Sequence, residues 1–533
     1  MTKHPKLLWI VVLLIGWAFD FLFWGKYLGI NFAFFVGISV LGGLFLMWVN
    51  GLKPARKSLW LLIPFVFFAV ITVVRQEPLT LFLAYTFTLV SMGLLAVTFL
   101  GGRWPQYNLL DYSYKFFQLA LSIFLSPIYF YKQIRTERDG LRETIKGFPI
   151  KPVLRGLLIA IPIVVVFAFL LASADIVFSQ KITDFFDQFH LWRIPEYLFR
   201  LAIILFWACV LTGIYLHSAS KSKDEKLVGE DKPVIKPFLG FTEAVIVIGS
   251  VVVLFLLFVI VQFRYFFGGE VNIGVEGYTY SQYARSGFNE LITVAFASLL
   301  MILGLSTVTL RENNRQKRAF SGLCIAIVSL VIIILVSAYM RLSLAISWHG
   351  FSRLRLYPRV FLVWVGILFV AVIVLEIIRR ERYFALAVLL ASFGFTATLS
   401  LANVDASIVT YNVFRTTQDK HFNVNHLTSL STDAVPALVD EFLDISYPTT
   451  THEGIGAALV CYLHSRPIEK ASNQDWRSFN LSRWEAVIQL DEIKRHLLDY
   501  DYNDNTWPVQ VRTPGNELYV CAEDQIRRNT FDR

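Results

Sequence analysis

Long apolar runs separated by short polar segments dominate residues 1–402. A hydrocarbon core of about 30 Å needs about 20 mostly apolar residues per helical crossing. Runs of that kind fall near Leu7–Trp24, Leu28–Val49, Ser58–Val74, Leu79–Leu100, Val153–Ala172, Tyr197–Leu216, Thr242–Phe263, Gly287–Leu310, Phe320–Met340, Val360–Ile378 and Tyr383–Leu401. The pattern predicts an all-α polytopic membrane protein with about eleven transmembrane helices. The first run follows Lys3 and Lys6 as a signal peptide would, but no small-x-small cleavage site follows it, so a retained anchor is expected.

Two further segments are apolar on one face only. In 176–189, Ile182, Phe185, Phe186 and Phe189 oppose Asp184, Asp187 and Gln188 at helical spacing. Residues 111–131 have basic residues on both flanks, and a crossing there would reverse every loop downstream. Both read as interfacial helices, the second alternatively as re-entrant. Beyond residue 402 the pattern changes, and 403–533 is expected to be a small, mainly helical polar C-terminal region. Ser431-Thr432-Asp433 with Pro436 starts one helix, and 482–500 is a second. Val509–Val511 and Leu518–Cys521 read as short strands.

Charge then supplies orientation. The net charge of +9 is unevenly spread: residues 1–402 hold 37 basic against 21 acidic side chains, and 403–533 hold 12 against 19. The basic excess therefore belongs to short loops, as the positive-inside rule requires, and not to a nucleic-acid surface. Basic loops around 53–57, 132–151, 221–236, 311–318 and 379–382 fall on one side, the cytoplasm. This gives a cell-membrane, multi-pass protein with a cytoplasmic N-terminus and an extracytoplasmic C-terminus. One outer loop, with Arg341, Arg353, Arg355 and Arg359, goes against the rule.

Several segments of the second half carry a resemblance. They are Tyr280-Ser-Gln-Tyr283-Ala-Arg285-Ser-Gly287-Phe288-Asn-Glu290-Leu, Ser352-Arg353-Leu-Arg355-Leu-Tyr357, Asn403-Val-Asp405 with Tyr411-Asn412, Ser429-Leu-Ser431-Thr-Asp433-Ala-Val-Pro436, and Asp475-Trp476-Arg477-Ser-Phe-Asn480-Leu-Ser482. Together they resemble bacterial membrane proteins of domain-of-unknown-function family 4173, related to family 4153, over roughly residues 150–485. Leu171-Ala-Ser-Ala-Asp175 is a weaker match, because Ile176 stands where the family has proline. The resemblance implies an integral membrane protein and supplies no catalytic residue.

On the expected topology Arg285, Glu290, Arg341, Arg353, Arg355, Tyr357, Asp405 and Tyr411 gather at the outer ends of the last four spans. Glu290 enters the bilayer edge and needs a partner, for which Arg341 is a candidate. Arg353 and Arg355 have the chemistry to hold a phosphate or carboxylate. The plain reading is a set of structural ion pairs. The sharper one is a pocket for an anionic lipid headgroup or envelope precursor, and a third is an interfacial belt meeting lipid phosphates.

Other signals are weaker. Cys209 and Cys324 lie in spans and read as packing residues, whereas Cys461 and Cys521 lie in the outer region, where a disulfide is permitted. The histidines lack metal-ligand spacing, and no metal, cofactor or phosphate-binding loop is indicated. Three functions stay open. A non-enzymatic envelope sensor or assembly partner, working with another membrane protein, asks least of the sequence. A transporter needs facing polar groups at mid-depth. An enzyme acting on an anionic lipid-linked envelope precursor needs converging carboxylates, and Glu290 with Asp405 is the pair that the expected topology permits.

Overall fold

The computed structural model describes residues 4–139, 193–223, 236–267, 288–416 and 424–522, apart from 445, 466–467, 469–474 and 505–506, with scattered positions between 156 and 181 and residue 227. Among the described residues, ten helical segments are long and apolar enough to cross a membrane. The chain is a polytopic, helical membrane protein. The expected span near 153–172 and the expected interfacial helix at 176–189 lie outside the residues described in full. The chain divides into two units: Met1–Trp24, Gly37–Leu52 and Phe117–Lys221 form one, and Gly25–Val36, Lys53–Phe116 and Ser222–Arg533 the other.

The first unit is built on α1 (Pro5–Phe23) and α7 (Ile194–Ser220), with parts of α2 (Ile30–Val49) and α6 (Leu109–Asp139). Gly16 lets α1 approach α7 closely, since a Cβ there would lie 2.5 Å from the Ile204 carbonyl oxygen. Asp20 on α1 takes a two-pronged bond from Arg200 on α7, at 2.6–3.1 Å. Ile10, Leu14, Trp17 and Phe21 recur at helical spacing on the uncovered side of α1, which in a bilayer faces lipid. The 111–131 segment is part of the 31-residue α6, whose Ser122 bonds His217 of α7 at 2.9 Å.

The second unit holds α3 (Arg56–Leu59), α4 (Leu62–Val74), α5 (Pro78–Thr98), α8 (Phe241–Phe267), α9 (Phe288–Val308), α10 (Asn314–His349), α11 (Arg353–Ile377) and α12 (Phe384–Ala402). Neighbours in sequence pack against each other, α4 on α5 and α9 through α12 in succession. Backbone bonds join Leu239 to Val308 and Leu310, and Gly101 to Ser222, so these turns share their ends of the bundle pairwise. Helix α10 is longer than its apolar run, because Arg341 finds Gln262 of α8 and does not end the helix. Arg341 thus lies about 12 Å inside the helix end, at 1.5 Å per residue, and not at the end as the run predicts. Arg353, Arg355 and Tyr357 likewise belong to the first turns of α11.

The C-terminal region continues from α12 through Asn403, whose positive φ of 44° turns the chain directly into α13 (Val404–Thr416). It then forms the short α14 (Val424–Leu427), α15 (Val435–Leu443), α16 (Thr449–Leu463) and α17 (Leu481–Ile493), and a small antiparallel sheet. The sheet order is β1 (Asp501–Asn503), β2 (Gln510–Arg512), β3 (Leu518–Val520), with Tyr502 opposite Val511 and Val511 opposite Tyr519. Ile408, Leu438, Leu459 and Leu490 meet in one core that runs on into Leu356 of α11 and Leu399 of α12. The region is therefore packed on the helix ends and is not tethered below them as a separate bead.

Candidate functional site

The polar cluster where the C-terminal region meets the helix ends is built around three carboxylates. Glu77 precedes Pro78 and caps α5, accepting from the backbone N–H of Leu79 at 3.0 Å and Thr80 at 2.7 Å. The Tyr357 hydroxyl of α11 also donates to Glu77. Asp433, from the turn before α15, accepts from the N–H groups of Gln76 and Glu77 at 2.9 and 2.8 Å. It thereby fastens the C-terminal region to the α4–α5 turn. Burial pushes the Asp433 carboxyl above its ordinary range, against the opposing pull of the Ser482 hydroxyl, those two N–H groups and Arg75.

Asp405, in the first turn of α13, has no exposed surface. Arg353 grips it with Nε at 2.8 Å and Nη2 at 2.5 Å, and Ser431 adds its N–H at 2.8 Å and its hydroxyl at 2.6 Å. Such a fork is the strongest geometry available to an Arg–carboxylate pair, and its extra donors make burial of the charge tolerable. The Ser431 hydroxyl in turn accepts from the Asp433 N–H at 3.3 Å. The chain of contacts thus runs Tyr357, Glu77, Asp433, Ser431, Asp405, Arg353. His426 is half-buried close by, and desolvation together with the Arg353 charge holds its imidazole below the usual histidine range.

A second clasp lies at 475–483. Asp475 pairs with Arg477 and with Lys26 at 2.9 Å, and these two cations hold its carboxyl well below the usual range. Ser478 accepts from the Tyr27 N–H at 3.0 Å, and the Phe479 carbonyl accepts from Ile30 at 2.8 Å. Asn480 caps α17 through the Arg483 N–H and reaches the carbonyls of Thr72 and Arg75. Arg483 donates to the Leu28 carbonyl at 2.7 Å.

The α10–α11 turn is held by α13. Asn412 exchanges two bonds with the Phe351 backbone at 2.7 and 2.8 Å, Tyr411 stacks on the Phe351 ring at 4.0 Å, and Arg415 donates to Trp348 O at 2.8 Å. Gly350 has φ of 79°, and a Cβ there would lie 2.4 Å from the Arg415 and Asn412 side chains, which explains the glycine. Arg355 donates to the carbonyls of His349 and Gly350. Cys461 of α16 and Cys521 after β3 form a disulfide, with Cα atoms 5.5 Å apart.

Of the residues singled out from the sequence, Arg353, Tyr357 and Asp405 meet in one network. Arg355 and Tyr411 serve the neighbouring turn, and Arg341 bonds Gln262 at 2.6 Å. Glu290 is exposed in the first turn of α9, whereas Asp405 is sealed, so these two carboxylates do not form a shared reactive cleft. Arg285 lies outside the described residues. Glu77 and Asp433 were missed as site residues, although an acid before a helix-starting proline marks the first, and the second stands inside a quoted family-like segment. Chemically, the cluster is an arrangement of acceptors mostly filled by donors, with Asp433 Oδ1 buried and outside hydrogen-bonding geometry. It can hold helix ends together.

A family model, domain of unknown function (DUF4153), matches residues 62–441. The chain belongs to the DUF4153 family. The relation to family 4153 drawn from the sequence segments agrees with this match. No curated protein and no solved structure matches the chain. The DUF4153 match includes Glu77, Arg353, Tyr357, Asp405 and Asp433, and it ends before the 475–483 clasp and the disulfide.

Proposed function

We propose that this DUF4153 protein is a non-enzymatic component of the bacterial cell envelope, a sensor or assembly partner, that carries its C-terminal region on the outer face of the cytoplasmic membrane. The observation that supports the reading is the occupation of these carboxylates by the protein's own donors: Asp405 by Arg353 and Ser431, Glu77 by its own helix and Tyr357, and Oδ2 of Asp433 by the α4–α5 turn. A catalytic pair would leave at least one carboxyl edge turned to a cavity. The disulfide supports the outer location, since such bonds persist in oxidising compartments.

The surface left for a partner is an open groove along α13, lined by Ala406, Thr410, Tyr411 and Phe414 and closed at its far side by Glu441 and Tyr447. The Tyr447 hydroxyl donates to Glu441 at 2.5 Å, and that bond pushes its pKa up to about 12. A membrane protein presenting an apolar helix with a hydrogen-bonding edge fits this surface. The reading is tested by following two properties across Glu77→Gln and Asp405→Asn: protease resistance of the C-terminal region in membranes, and complementation of a deletion strain. Docking as the role predicts that both are lost together. A variant that keeps the region protected yet fails to complement would contradict it and favour catalysis.

A further inference from the structure

From mid-bundle toward the end away from the docked region, the second unit has a feature of opposite character. A groove runs between α9 and α11, with α10 as its floor. Its first stretch is lined by apolar side chains alone, among them Ile292, Phe296, Leu299, Phe361 and Val365. Leu299 also lines the second stretch, which passes Ile302 and Cys324 and finishes at Ser306, Glu376 and Glu381. From Ser306 back to Phe296 the groove follows α9 for about 15 Å, at 1.5 Å per residue. One leaflet's hydrocarbon layer is about 15 Å, half of a core of about 30 Å. The apolar stretch therefore suits an acyl chain, and its walls give water nothing to bond.

The closed end carries both signs of charge. Glu376 accepts from the Ser321 hydroxyl at 2.5 Å. Glu381 faces the same end of the groove. Arg311 donates to the Ser306 carbonyl at 2.6 Å and lies over the Phe320 ring at 4.7 Å. Glu376 is half-buried and Glu381 exposed, and the Arg311 charge acts on Glu381, so this end of the groove presents two carboxylates beside one guanidinium. A headgroup combining an ammonium with a phosphate complements the carboxylates and the guanidinium at once. An anionic headgroup without an amine meets the carboxylates with like charge. A free cation leaves the apolar stretch unfilled.

We infer that this groove binds a phospholipid with a primary-amine headgroup, with its ammonium on Glu376 and Glu381, its phosphate toward Arg311, and one acyl chain along Phe296, Leu299 and Phe361. The site lies in the leaflet opposite the C-terminal region and is independent of the outer clamp.

The test uses the full chain reconstituted in phosphatidylglycerol vesicles. These contain a minor fraction of either phosphatidylethanolamine or phosphatidylglycerol with a photoactivatable acyl chain, and adducts are mapped by mass spectrometry. The ethanolamine probe is expected to label α9 and α11 severalfold more than the glycerol probe. Glu376→Gln with Glu381→Gln removes that preference, and Ala295→Trp, which fills the apolar stretch, removes labelling by both probes. Equal labelling by the two probes overturns the headgroup assignment, as does a preference that survives the double substitution. Absence of adducts on α9 and α11 overturns the site.

Discussion

The two ends of the second unit use charge in opposite ways. At the end that carries the C-terminal region, Glu77, Asp405 and Asp433 are filled by donors from three different stretches of chain, and Asp405 has no exposed surface. At the other end, Glu376 and Glu381 border a groove whose remaining walls are apolar but for Ser306. A charge already saturated by its own protein fixes geometry, and removing its partner costs stability. A charge beside an uncovered apolar wall leaves chemistry for something else to complete. The difference teaches that a cluster of charged residues named from sequence is not by itself a binding site. What decides is whether the protein's own backbone has taken the lone pairs.

The most severe way to break this contrast is Asp405→Ala. It leaves the Ser431 donors without an acceptor and Arg353, 23% exposed, without its carboxylate; loss of one partner of a buried pair costs about 3–5 kcal/mol, and the partial exposure of Arg353 puts this case toward the low end. The expected outcome is rapid proteolysis of the C-terminal region while the spans stay inserted, checked by limited trypsin digestion of membranes. Reduction of the Cys461–Cys521 bond comes next. Its partners are 60 residues apart, and losing a cross-link over a loop of that size costs about 2–4 kcal/mol. Cys461→Ser should lower the temperature at which the region becomes protease-sensitive, with less effect than Asp405→Ala. Asn480→Ala removes a helix cap and the reach to Thr72 and Arg75, for about 1 kcal/mol from the cap. It should loosen the 475–483 clasp measurably in hydrogen exchange without releasing the region.

The smallest effects are slopes against pH. His426 titrates lower when folded than its ordinary value of 6.5, so the unfolded state binds more protons below that value. Its contribution is complete above pH 6.5 and is lost as the pH falls through its folded pKa. Asp433 has the opposite sign, since its folded pKa is raised above 3.8. Its contribution is complete below pH 3.8 and is lost as the pH rises through the raised value. Proteolysis half-times across this range should flatten on the neutral side in His426→Gln and on the acid side in Asp433→Asn.

Much of the fold was legible because a span needs only length and apolarity: ten of the predicted runs coincide with helices long enough to cross. Helix ends were less legible. Arg341 looked like a terminus, but Gln262 gives it a partner inside the bundle, and α10 continues to His349. In the C-terminal region α15 and α17 showed their amphipathic faces, whereas α16 did not. Its residues from Gly454 to Tyr462 are all buried, so no polar face marks the period. Helix α13 went unread because its start depends on the left-handed turn at Asn403. Of the candidate site, the gathering of Arg353 and Asp405 at one end of the bundle followed from the order of the spans, but their pairing did not: by sequence Arg341 is matched with Glu290, and Arg353 with an outside anion. The roles of Gln76, Ser431 and Thr72 did not follow either, because they act through backbone or hydroxyl groups that any sequence supplies.

The location of this clamp is checked by single-cysteine labelling in intact cells with an impermeant thiol reagent, in a background with the native cysteines replaced. Ser352→Cys and Ser429→Cys should label, and Asn314→Cys at the far end of α10 should label only after permeabilisation. The most direct test of the clamp itself compares Asp405→Ala with the double variant Asp405→Leu and Arg353→Met, by trypsin resistance of the C-terminal region. Replacing a whole buried pair with apolar side chains is often near neutral, whereas removing one member is not. A structural clamp predicts that the double variant regains most of the resistance lost in Asp405→Ala and complements the deletion strain. A double variant that regains resistance but fails to complement would contradict it, because the pair would then be serving a ligand.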